Sequence, residues 1–101
     1  MVRHLFLWRV APDANADEIV EILNTLPDKV PGIRYWEIGQ HLGEKGDSGD
    51  PWDGALVSDF DSFEGLQQYS EHPYHMEVVE KLLPMFSDRA VVDYERSDSG
   101  Q

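Results

Sequence analysis

Apolar and polar residues alternate from Val2 to Val10, and two apolar sets interleave. Val2, His4, Phe6, Trp8 and Val10 share one face, while Leu5 and Leu7 lie on the other between Arg3 and Arg9. This predicts a strand buried on both sides. The period then changes: Ile19, Ile22, Leu23, Leu26 and Val30 recur at helical spacing, and Asn15 with Glu18 reads as a capping box. A helix over about residues 16–30 is expected, stopped by Pro31-Gly32. Ile33 to Gln40, with Tyr35, Trp36 and Ile38, reads as a second strand. Because a helix joins them, the first two strands are either parallel neighbours or separated by another strand.

Residues 43–51 hold three glycines, one proline and four charges, with nothing to bury. They predict a loop, and Gly43 to Trp52 is expected to be the most mobile internal segment. Ala55 to Phe60 reads as a third strand, followed by a second capping box from Asp61 and Glu64 and a short helix to about Glu71. Pro73 disfavours helical geometry at His72 and suits the first turn of a new helix, which makes His72 its N-cap in a segment to about Leu83. Met85 to Arg89 reads as a connector and Ala90 to Glu95 as the last strand. Residues 1–96 then form one domain and 97–101 a polar tail.

The resulting order is strand, helix, strand, strand, paired helices, strand. This is the split βαβ, ferredoxin-like arrangement, α+β in class. Both helical units would cover one face of a four-stranded sheet, yet the first strand is apolar on both. A second copy of the chain is the simplest cover for the other face, so a homodimer is expected.

Composition narrows the partners. Eight Lys plus Arg against 20 Asp plus Glu leave a formal charge of −12, which repels nucleic acid and anionic lipid surfaces. The chain has no cysteine, which removes thiol nucleophiles, disulfides and thiolate metal sites and is compatible with a cytoplasmic location. The apolar run Leu5-Phe6-Leu7-Trp8 is too short for a signal peptide or a membrane span.

Candidate chemistry concentrates around Pro73, where Tyr69, His72, Tyr74 and His75 fall within seven residues. His75 precedes Val78, Val79 and Leu82 at helical intervals, so it points inward, and Tyr69 follows Phe63 and Leu66 at threes. His4 shares its strand face with Phe6 and Trp8. If that face meets the helices, His4, Tyr69 and His75 converge in an apolar pocket suited to a small apolar or aromatic ligand. Phe6, Trp8, His72 and Tyr74 are the candidate ligand-binding positions around them. Burial and the helix N-terminus both favour neutral imidazole at His75, a state that accepts a proton. A purely structural arrangement is the competing expectation: His72 caps a helix, His75 bonds a backbone carbonyl, and His4 satisfies Tyr69 in a tight core. No metal is expected, since no carboxylate stands at ligand spacing and HExxH is absent, and Asp47-Ser48-Gly49-Asp50 lacks the EF-hand pattern. No cofactor is expected either.

Three segments together resemble the Dabb family of stress-responsive dimeric α+β barrel proteins. They are Val2-Arg3-His4-Leu5-Phe6-Leu7-Trp8, Val30-Pro31-Gly32-Ile33, and His72-Pro73-Tyr74-His75 leading through Glu80-Lys81-Leu82-Leu83-Pro84 into Val91-Val92-Asp93-Tyr94. The resemblance implies a ferredoxin-like subunit whose sheet pairs face to face with its partner's to form a dimeric α+β barrel. Most members have no assigned reaction. In the plant polyketide cyclase branch, the resemblance implies a general base at His75, an assisting tyrosine at Tyr69 and a pocket histidine at His4. The match departs at the start of the third strand, where the cyclases carry another pocket histidine and this chain has Gly54-Ala55. Two functions follow as expectations: a stress-associated protein whose pocket holds a small ligand, or a cofactor-independent cyclase, lyase or isomerase using His75. An oxygen-using monooxygenase on a similar barrel rests on fold analogy alone.

Overall fold

The computed structural model describes residues 1–44 and 49–97. Its strands are β1 (Val2–Val10), β2 (Tyr35–Gln40), β3 (Gly54–Phe60) and β4 (Phe86–Glu95). The helices are α1 (Ala16–Leu23), α2 (Leu26–Lys29), α3 (Phe63–Glu71) and α4 (Pro73–Leu82), with a 3₁₀ turn at Leu83–Met85. The four strands form one antiparallel sheet in the order β2-β3-β1-β4. β3 therefore separates β1 from β2, which resolves the choice left by the helical connection.

Local chemistry accounts for most boundaries. Asn15 caps α1, its Oδ1 accepting from the Glu18 N–H at 3.0 Å. The single helix expected over 16–30 is instead broken after Leu23. Pro27 has no N–H to offer the Leu23 carbonyl and its ring crowds that oxygen, so the helix stops and restarts as the short α2. At α3 the cap is Ser62, whose Oγ accepts from the Gly65 N–H at 3.1 Å. Asp61, expected to cap, is drawn away by Arg34, whose guanidinium donates to it at 2.8–3.1 Å. β4 starts at Phe86 rather than Ala90, because residues read as a connector pair along β1, with Val10 opposite Phe86 and Arg9 opposite Asp88.

One face of the sheet carries the core. Trp8, Leu56 and Phe60 pack there against Ile19, Leu26, Leu66 and Tyr69, all buried. Gly54 faces Trp8 across the β1–β3 ladder, and the indole occupies the space any larger residue there would need. The other face is not covered within the subunit. Strand register aligns Leu5 with Val57 and Val92, and Leu7 with Ala55 and Ala90; Val92 is 49 % exposed.

At one end of this open face Arg3 donates twice to the nearly inaccessible Asp59 carboxylate, at 2.8 and 2.9 Å. Arg96 adds a third contact at 3.3 Å. The Arg3 hydrogen bonds hold the Asp59 carboxyl below the usual carboxylate range against the opposing effect of burial. Arg96, the last residue of the expected domain, is thereby tied down, and its backbone N–H also donates to the Met1 carbonyl at 2.8 Å. The loop expected to be the most mobile lies partly outside the described residues, at 45–48. Its far end is anchored: Arg9 donates to the Pro51 carbonyl at 2.6 Å and stacks over Trp52 at 4.1 Å.

Candidate functional site

Tyr69 is the hub of the helix-covered face. It projects from α3, is 2 % exposed, and touches a ring from every neighbouring layer. Phe60 lies at 4.9 Å between centroids, His75 at 4.5 Å, and His4 and Trp36 both at 6.4 Å. Its hydroxyl makes no hydrogen bond among the described residues. Burial pushes its ionisation upward, so it remains a protonated donor throughout the neutral range.

The bend between α3 and α4 sets His75. His72 leaves the helical region at φ −62° and ψ 134°, and its Nδ1 accepts from the Tyr74 N–H at 3.1 Å, capping α4 as expected. One turn on, His75 Nδ1 stands 3.0 Å from the Ser70 carbonyl. A carbonyl only accepts, so Nδ1 carries the proton and Nε2 of the neutral ring keeps its lone pair. Burial lowers the His75 pKa below the ordinary value, and His4 and His72 add to the effect; the Ser70 bond opposes it.

His4 enters from β1 and is held by Asp93 on the adjacent β4, with Nδ1 to Oδ1 at 2.5 Å. The expectation that His4 satisfies Tyr69 is thus replaced by a carboxylate–histidine pair, which orients the ring and leaves its Nε2 free of that contact. Asp93 was not singled out in the sequence. Alternation along β4 puts it on one face with Arg89 and Val91, but only cross-strand register shows that His4 is its neighbour. Beside His4 in the same register is Ser58, fully buried, whose Oγ has no hydrogen-bond partner among the described residues.

Beside this cluster lies a cavity of about 190 Å³. His4, Tyr69 and His75 meet at it, and Phe6, Leu82 and Phe86 supply apolar wall. The core at this point is therefore open rather than tightly closed. Three candidate ligand-binding residues lie elsewhere. Trp8 is sealed in the core between Phe6 and Phe86. His72 spends its ring nitrogen on the cap. Tyr74, half-buried against the core, donates to Thr25 Oγ1 at 2.7 Å and is not part of the cavity wall. Among the described residues no three His, Asp or Glu side chains gather in a way that would hold a metal ion.

A ferredoxin-like sheet with this histidine-bearing helical bend defines an α+β barrel subunit. The sequence matches the stress responsive A/B barrel domain over residues 2–96, and the chain belongs to that family, Dabb. Solved structures agree. A dimeric ferredoxin-like protein of unknown function from Thermobifida fusca YX shares 28 % identity at a TM-score of 0.79, covering 94 % of this chain and 90 % of that one. A dimeric protein of unknown function from Bacteroides fragilis NCTC 9343 shares 29 % at a TM-score of 0.70, with 94 % and 95 % covered. A hydroxynitrile lyase from Passiflora edulis superposes at a TM-score of 0.83 over 96 % and 94 % of the two chains, and at 22 % identity this likeness carries the fold alone. No curated protein matches the sequence. Among the described residues no helix is long and apolar enough to cross a membrane.

Proposed function

We propose that this Dabb domain works as a cytoplasmic homodimer whose subunit cavity binds a small apolar or aromatic molecule. The cavity carries the reading: its volume is about 190 Å³, and an apolar cavity of about 150 Å³ already admits benzene. A single substituted ring is the matching size. Dimerisation is supported by the two dimeric relatives and by the uncovered face bearing Leu5, Leu7, Val57 and Val92. The absence of cysteine is compatible with a reducing compartment. Titration with acetophenone, followed by carbon–proton NMR of the histidine rings, tests the cavity. Saturable shifts at His75 and His4 are expected; none at millimolar ligand removes the reading.

The His75 tautomer favours a second reading, a cofactor-independent enzyme that moves a proton next to a carbonyl. His75 Nε2 would take the proton from the carbon beside the carbonyl, and the Tyr69 hydroxyl would donate to the enolate oxygen that forms. Deuterium exchange into the acetophenone methyl group in D₂O reads this step without presuming the natural substrate. Exchange should exceed the buffer rate, disappear in His75→Ala and fall by an intermediate factor in Tyr69→Phe. Exchange at the buffer rate, with binding intact, leaves the binding protein alone.

A further inference from the structure

We propose that the occupant of the cavity is an anion, a small aromatic or acyl carboxylate whose charged end lies at Arg89. The inference rests on the binding reading above and names the ligand class.

The chain carries 20 acidic and eight basic residues, yet no aspartate or glutamate lines the cavity, and the one lining residue with a permanent charge is Arg89. The other arginines are engaged: Arg3 and Arg96 by Asp59, Arg34 by Asp61, and Arg9 by the Pro51 carbonyl and the Trp52 ring. The Arg89 guanidinium has no hydrogen-bond or ion-pair partner among the described residues. Its neighbour Asp88 occupies the alternate side of β4 and accepts from the Arg89 backbone N–H at 2.8 Å instead. Cross-strand register sets Arg89 opposite Trp8, on the helix-covered side of the sheet, so a copy seated on the Leu5 and Leu7 face would not reach over it.

The cavity is polar at two ends. Arg89 and Asp93 lie four residues apart on β4, about 13 Å along an extended strand, with Val91 between them on the same face. The His4 end adjoins Tyr69 and His75, and Asp93 stands behind His4, outside the lining. Its carboxylate disfavours a second negative charge there, whereas a planar guanidinium matches a carboxylate in two parallel hydrogen bonds. A ligand would thus lie with its carboxylate at Arg89, its apolar body against Phe6 and Phe86, and its uncharged polar end at His75 and Tyr69.

Phenylacetate and its neutral isostere phenylacetamide test this by calorimetry on the intact protein at low and at physiological salt. The acid should bind roughly three- to tenfold more tightly, the range for a charge-assisted contact open to solvent, and added salt should narrow the gap. Arg89→Gln should abolish the preference by weakening phenylacetate far more than phenylacetamide, and Arg89→Glu should reverse the order. Arg89 is exposed, so neither change threatens the core. Equal binding of the two compounds, or a preference that survives Arg89→Gln, overturns the anion assignment and leaves the cavity reading standing. Binding of neither compound to the parent protein overturns both.

Discussion

Replacing Gly54 by alanine should destabilise the protein through a single named collision. A methyl group at Gly54 would come within 2.8 Å of Trp8 Nε1 and nearer still to the ring carbons Cε2 and Cζ2, where relaxed carbon contacts sit at about 3.5–4.0 Å. Trp8 is 1 % exposed and is held by Phe6 and Phe86, whose ring centroids lie 5.7 and 6.1 Å away. The indole can yield only by displacing side chains that are already packed. Overpacking of this kind costs about 1–3 kcal/mol, and in a domain of this size each kcal/mol lowers the melting temperature by roughly 4–8 °C. Urea unfolding at one fixed protomer concentration measures the loss without confusion from dimerisation. Gly65→Ala is the control: its methyl group would meet Ser62 Oγ at an ordinary 3.6 Å, and removing a helical glycine should add about 0.5–1 kcal/mol. In a Trp8→Leu background the Gly54→Ala penalty should shrink to below about 0.5 kcal/mol, because the colliding ring is gone. A Gly54→Ala protein as stable as its parent would refute the reasoning, as would a penalty unchanged by Trp8→Leu. Phe6 and Phe86 also wall the cavity, so the same variant should weaken acetophenone binding.

Two further predictions concern the site. His75 should titrate below the unfolded-histidine value of about 6.5, because burial disfavours its cation. Below that value the unfolded chain binds the extra proton first, so this contribution to stability is full above it and is lost as pH falls towards the lowered folded value. The difference in urea midpoint between the parent and His75→Gln, followed from pH 7.5 to 5.5, isolates the effect; a His75 ring that titrates above the ordinary value contradicts it. Ser58→Ala should be neutral or stabilise by up to about 1 kcal/mol, since the hydroxyl it removes is buried without a partner. A clear loss of stability in thermal unfolding would show that the hydroxyl is bonded in solution.

Residues that act within one element were legible from the sequence. Helical spacing turned His75 inward, proline chemistry placed the cap at His72, and the doubly apolar pattern of β1 indicated an uncovered second face. These follow from local periodicity, because each side chain's direction is set by the backbone that bears it. The break before α2 was missed, because the apolar spacing running across Pro27 suggested one continuous helix. Tertiary structure alone decided the rest. His4 meets Asp93 across 89 positions, Asp59 gathers Arg3 and Arg96 from opposite ends of the chain, and the indole of Trp8 claims the space over Gly54. Trp8, Tyr74 and His72 carried the right chemistry for a pocket wall, but packing took one into the core, a hydroxyl bond to Thr25 held another and capping engaged the third. Arg89 looked like a connector residue until strand register placed it at the cavity. Periodicity reports which face of an element is buried; which distant side chain meets it there depends on register and crossing, and those are set only when the elements pack.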